Sequence, residues 1–333
     1  MKFFLTVVCV ALLNVSSAQI LEDSRLHHLV VRGIDYTLKQ EYDSAQSVFG
    51  VIIKEYPNHP SGYIFLAGCL EARYTDYGDH FDEKKYDSLL TVGDRYAEKL
   101  GAQKPTSAWG NYYKGVVAAY RSYTLSENGN YPSGMYYGIS AANSLQRCLE
   151  IDTAFTAAKN ILGSYYYWRS AISWLPFVSD RSEEGIRLIK QTLQHPYEKH
   201  IASHNLMLIL TDKKRYKEAE YYGLEVLKEY PENRLYLWSL MTVYEQWGNE
   251  KKLRAIVTRL LNSVLNSPVV NYYAEATCRI KLAHFNLADR DTTRAVTECQ
   301  KIVALKPFIG KTKLNLKKKI LLAEEMLKEI TGK

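Results

Sequence analysis

From about Glu22 onward, apolar residues recur three and four apart in successive blocks, the period of helices that bury one face. Most of these blocks close on a proline, which cannot continue the hydrogen-bond ladder. A Tyr-x-x-Ala followed twelve residues later by Pro occurs twice at identical spacing, as Tyr42, Ala45, Pro57 and Tyr216, Ala219, Pro231. The flanks agree: Glu55-Tyr56-Pro57-Asn58 returns as Glu229-Tyr230-Pro231-Glu232. Thr292, Ala295 and Pro307 repeat the spacing with one change. Weaker copies end at Gly101, Asp152, Pro196 and Pro268, with Leu89, Ser140, Glu184 and Ile256 in the slot that holds Ala elsewhere. The repeat ends are 44, 51, 44, 35, 37 and 39 residues apart. Self-similarity on this scale predicts a one-dimensional array of about seven helical hairpins.

The segments before these helices place a small residue and an aromatic three apart, as in Leu162-Gly163 with Tyr166 and Gly33 with Tyr36. Small residues let two antiparallel helices approach closely. The combined pattern resembles the tetratricopeptide repeat, with its Trp-x-x-Leu-Gly-x-x-Tyr first helix and Tyr-x-x-Ala…Pro second helix of about 34 residues. The resemblance, to a divergent exported bacterial type, implies an all-α solenoid of stacked antiparallel hairpins wound into a right-handed superhelix over residues 19–307. The longer intervals predict Asp-, Gly- and Asn-rich loop inserts near 76–85 and 126–133. Residues 314–330 read as a lysine-rich amphipathic helix within a basic C-terminal segment, 308–333, that caps the exposed end of the array.

The first eighteen residues change the expected compartment. Lys2, an apolar run over 3–13, and then Ser16, Ser17 and Ala18 match the three regions of a Sec signal peptide, with cleavage after Ala18. A soluble periplasmic or secreted chain is expected. Without residues 1–18 the balance is 42 Lys and Arg against 36 Asp and Glu, a net +6 from the full chain's +7. Residues 311–333 hold seven lysines against Glu324, Glu325 and Glu329, so the excess is mostly in the tail. Nucleic-acid binding would need a basic face along the fold, and none is expected. Cys69, Cys148, Cys278 and Cys299 follow the cleavage site without metal-ligand spacing. Two neighbouring predicted helices carry Cys278 and Cys299, the best candidates for a disulfide in an oxidising compartment.

Catalytic signatures are missing: the sequence has no GxSxG, no HExxH and no two glycines separated by one residue. Gly310-Lys311-Thr312 lacks the glycine and the strand of a phosphate loop. His200 and His204 share a helical face that carries no acidic or third His ligand at helical spacing, so a solvated or capping role is expected. Asp76, Asp79, Asp82 and Glu83 lack the spacing of a calcium loop. No cofactor, metal or catalytic residue is expected.

The signal left over is aromatic: 27 Tyr and 5 Trp. If Leu162, Gly163 and Tyr166 face the partner helix, helical spacing projects Asn160, Ser164, Tyr167 and Trp168 into the concave groove of the array. Arg73, His204 and Trp238 have the same phase. Tyr, Trp and Arg carry much of the energy at protein interfaces. The expected function is a non-enzymatic scaffold of the cell envelope that binds a polypeptide in this groove. The alternative is a membrane-surface adaptor acting through the lysine-rich helix and the loop from Trp174 to Val178. The sequence leaves oligomeric state and partner identity open.

Overall fold

Short polar side chains start most of the helices. Asp23, Asp82, Asn130, Asn233, Asn249, Asn271, Asp291 and Asn315 each accept a hydrogen bond from a backbone N–H of the first turn that follows. Each satisfies a donor that a helix start leaves open. The computed structural model describes residues 21–79, 81–312 and 314–332, among which it has fifteen α-helices and no strand. The expected signal peptide, 1–18, lies outside the described residues.

The helices pair as α1 (Ser24–Leu38) with α2 (Tyr42–Glu55), α3 (Pro60–Tyr77) with α4 (Glu83–Gly101), and α5 (Ser107–Glu127) with α6 (Tyr131–Ile151). Then come α7 (Ala158–Ser170) with α8 (Ser182–Lys190), α9 (Lys199–Asp212) with α10 (Tyr216–Glu229), α11 (Arg234–Trp247) with α12 (Glu250–Leu265), and α13 (Tyr272–Ala288) with α14 (Thr292–Val303). The last helix, α15 (Leu316–Thr331), buries Leu316, Ile320, Ala323 and Met326 in a cluster shared with α13 and α14.

Hairpins close where small residues meet. Ala45, Ala219 and Ala295 are fully buried. In the α7/α8 hairpin a Cβ on Gly163 would lie 2.5 Å from the Gly185 carbonyl oxygen, and one on Gly185 would lie 2.4 Å from that of Gly163. The small-residue slot is therefore Gly185, one residue past the expected Glu184, whose carboxylate instead pairs with Arg181 at 2.7 Å. Likewise Ala141, not Ser140, is buried in α6. The second expected loop insert is also corrected. Only residues 128–130 join α5 to α6, the extra residues lengthening these helices to 21 each, whereas α3 ends at Tyr77 and α4 begins at Glu83, within the expected 76–85 segment. Gly78 closes α3 in the left-handed conformation, and Pro132 near the start of α6 needs no donor there.

Successive odd-numbered helices pack on one another from α1 to α11, with no comparable packing between successive even-numbered ones. The odd-numbered helices therefore line the inside of the curve. The curve closes on itself. Tyr230 Oη donates to Asp35 Oδ1 (3.0 Å) and Asn233 Nδ2 to the Leu38 carbonyl (2.8 Å), each pair 195 residues apart. The Arg234 guanidinium holds the Asp76 carboxylate through two 2.5 Å contacts, and Tyr42 Oη donates to the same carboxylate at 3.0 Å. Asn271 Nδ2 donates to the Asp76 carbonyl (2.9 Å), and Tyr197 Oη bonds both the Leu21 amide and His27 Nδ1. The turns leading into α9, α11 and α13 thus seat against α1 and α3.

Cys69, Cys148, Cys278 and Cys299 are buried free thiols, so the Cys278–Cys299 disulfide does not form in this structure. The two sulfurs behave as small apolar groups, Cys278 in the central core cluster and Cys299 in the C-terminal one.

Candidate functional site

Self-closure fills much of the inner surface before any partner could. Trp109 of α5 meets Phe155, which precedes α7, edge-on at 4.7 Å, and lies 6.4 Å from Tyr197, which precedes α9. Further along, a buried polar chain crosses three hairpins. Tyr112 Oη of α5 donates to Glu198 Oε1 (2.5 Å), and Asn160 Nδ2 of α7 to Glu198 Oε2 (2.7 Å). Asn205 Nδ2 of α9 donates to Asn160 Oδ1 (3.0 Å). Such a satisfied network pins the stacking of α5, α7 and α9.

The residues expected in the groove divide accordingly. Asn160 is fully buried in this chain, and Ser164 Oγ turns back to donate to the Asn160 carbonyl at 3.0 Å. Tyr167 is buried too, with its hydroxyl donating to Asp212 Oδ2 at 2.5 Å. These three are structural, contrary to the expectation that they meet a partner. Arg73 stands apart on α3, ion-paired to Asp79 at 2.9 Å and lying over the Tyr77 ring. Trp168 remains half exposed, set edge-on against Tyr167. His204 Nε2 lies 3.1 Å from Ser239 Oγ, and its ring meets Tyr236 edge-on, joining α9 to α11. Trp238 is half buried against the central core.

The open part of the inner face therefore runs over α7, α9 and α11. Ile201 and Leu208, three before and four after His204, are exposed on its face, and Leu235 is exposed three before Trp238. The three-and-four spacing around His204 and Trp238 was the signal that could have found them. Nothing local marks Glu198, which gains its role only from Tyr112 and Asn160.

The expected solvated role for His200 and His204 is corrected, since burial pushes both imidazoles down to about 4. The acidic cluster is also spoken for: Asp76 holds Arg234, Asp79 pairs with Arg73, and Asp82 caps α4. Among the described residues no group of His, Cys, Asp and Glu could hold a metal ion.

Burial pushes the Glu198 carboxyl up to about 7, opposed by the hydrogen bonds from Tyr112 and Asn160. The folded state then binds this proton more tightly than the unfolded chain. Glu198 accordingly contributes stability at low pH that is lost as pH rises from about 4.5 towards 7, about 3 kcal/mol in all. The neutral His59, His200 and His204, held near 4 by burial, give the opposite slope below about 6.5. In urea unfolding across this range, Glu198→Gln should differ from wild type by a slope confined to the Glu198 window. A pH-independent difference would mean that the buried carboxylate stays ionised.

No family model matches the chain, and no curated protein shows significant similarity to it. Solved structures resemble it in fold. A monomeric mutant of IFIT1 with m7Gppp-AAAA superposes with a TM-score of 0.58 at 14% identity, over 88% of this chain and 61% of that one. A human IFIT1 dimer with PPP-AAAA gives 0.56 at 16% identity, over 89% and 61%. The C-terminal part of a TPR repeat-containing protein from Cytophaga hutchinsonii gives 0.42 at 16% identity, over 84% and 95%. This chain thus spans about six-tenths of the length of the IFIT1 chains. With its paired, stacked and inward-curving helices, it has a tetratricopeptide-like fold, an all-α solenoid.

Proposed function

We propose that the protein is a non-enzymatic scaffold of the cell envelope that holds a polypeptide segment against the open inner face of α7, α9 and α11. The observation that carries this reading is the strip of exposed Trp168, Ile201, Leu208 and Leu235 beside half-buried His204 and Trp238. Apolar and aromatic anchors on a rigid, buried polar frame are what an extended peptide needs for affinity and register. The envelope part of the reading rests on the charged, apolar and small-residue pattern of residues 1–18.

The IFIT1 structures contain capped or triphosphorylated RNA, but the interior of this chain suits phosphates poorly. Glu71 and Glu198 lie there, both with carboxyls that burial pushes up to about 7. Arg73 and Arg234 are each bound to an aspartate. A polypeptide fits this chemistry better than a polyanion.

Peptides selected on the wild-type protein from a displayed random library provide the test. Trp168→Ser with Leu208→Ser should weaken their binding at least tenfold, with helical content unchanged and thermal unfolding lowered only slightly, because both side chains are about half exposed. Undiminished binding would remove the inner face from the proposal.

A further inference from the structure

The most exposed apolar side chains of the array lie away from this inner face. Every described large hydrophobic residue more than 60% exposed sits on two segments: Tyr131 (70%), Met135 (63%) and Tyr136 (68%) at the start of α6, and Trp174 (77%) and the fully exposed Phe177 between α7 and α8. Even-numbered helices all begin at the same edge of the array, and α6 packs on α7, so both segments lie at that edge on neighbouring hairpins. We propose that this edge docks peripherally on a membrane, seating its aromatic side chains in the headgroup interface of a bilayer.

Three features favour a bilayer as the occupant. Residues 128–146 and 170–179 contain no Asp, Glu, Lys or Arg, and charge returns only at their flanks, at Glu127, Arg147, Arg169 and Asp180. A protein-binding patch normally carries a polar rim with paired charges, whereas charge is what an acyl boundary rejects. Part of the backbone of the α7–α8 connection is also paired internally. Ile172, Ser173, Leu175 and Val178 donate their amides to Arg169, Ser170, Ile172 and Leu175 carbonyls, and the Arg181 amide bonds Ser170 Oγ. Unpaired backbone groups are what exclude an irregular segment from apolar depth, and here these amides are paired.

The third feature is shape and composition. Tyr131, Met135 and Ile139 lie along one face of the first turns of α6, with exposed Tyr136 flanking it. Phe177 is held in the left-handed region (φ 68°), a conformation costly for a residue with a Cβ, and its side chain is fully exposed. The anchors thus stand out singly instead of lining a pocket, and Trp and Tyr favour the interface between acyl chains and water. No described helix is long and apolar enough to cross a membrane, so attachment is interfacial. Because the two docking segments carry no charge of their own, attachment should depend only weakly on salt. This separates it from the electrostatic attachment expected of the lysines in α15.

The test is flotation of the purified protein with neutral phosphatidylcholine vesicles at low and high salt. Wild type should float at both. Trp174→Ser with Phe177→Ser, and separately Tyr131→Ser with Tyr136→Ser, should each reduce the bound fraction at least tenfold while keeping the wild-type melting curve. The Trp168→Ser, Leu208→Ser variant should lose much less, which keeps this inference distinct from the inner-face reading. Absence of flotation would overturn it. So would binding only to anionic vesicles that is lost in high salt and indifferent to the variants, or self-association abolished by Trp174→Ser with Phe177→Ser in the absence of flotation.

Discussion

Arg234→Ala should lower the free energy of unfolding by about 3–5 kcal/mol, because it strands the Asp76 carboxylate where water cannot replace the lost partner. The side chains of this pair are only 11% and 5% exposed, and the two contacts are 2.5 Å each. Tyr42 donates a single hydrogen bond to the same carboxylate and cannot neutralise it. The pair also joins the end of α3 to the start of α11, so its loss should loosen the closed turn. Urea unfolding measures the first effect, and an increase in the radius of gyration by X-ray scattering measures the second. Replacing both partners with apolar residues, Arg234→Met with Asp76→Leu, should recover most of the stability, since no buried charge is then left alone. A loss below about 1 kcal/mol for Arg234→Ala would show that the closure rests on other contacts.

Adding one carbon at Gly163 should destabilise the chain, although alanine is intrinsically the better helix former. Helix propensity favours Ala over Gly by about 1 kcal/mol in a helix interior. At Gly163, however, the new Cβ would sit 2.5 Å from a backbone carbonyl oxygen of α8, which cannot rotate away as a side chain could. Forcing the two helices apart should cost about 1–3 kcal/mol net for alanine and more for valine. Gly50, in α2 with nothing within 4 Å of its added Cβ, is the matched control. Gly50→Ala should raise the melting temperature while Gly163→Ala lowers it. Effects of the same sign would mean that the close approach of α7 and α8 is not what makes Gly163 necessary.

Helical hairpins were legible in the chain because each must bury a stripe of its own residues, and that stripe recurs every three and four positions. Tyr42, Ala45 and Pro57 could be read this way, and the same rule located Ala219 and Ala295 at fully buried crossings. It slipped by one residue at Glu184 and Ser140, where the fixed twelve-residue offset to the repeat end fails. Helix α8 ends at Lys190, well before Pro196, so the proline no longer measures the helix. The groove was legible in phase but not in exposure. Asn160, Tyr167 and Trp168 share a helical face, yet Glu198 and Asp212, from the turn before α9 and from its last residue, cover the first two and leave the third open.

Periodicity, proline placement and small-residue spacing, all carried by neighbours in the chain, were enough to specify an all-α array of hairpins, since each hairpin is a local solution to burying apolar surface. Whether that array stays open or closes on itself depends on pairs such as Asp35 with Tyr230 and Asp76 with Arg234, 195 and 158 residues apart. No local pattern encodes their meeting, which is the sum of small rotations between successive hairpins. The same accumulation decides the surface: it seals the first hairpins, keeps a strip of α7, α9 and α11 accessible, and leaves Trp174 and Phe177 in solvent at the outer edge.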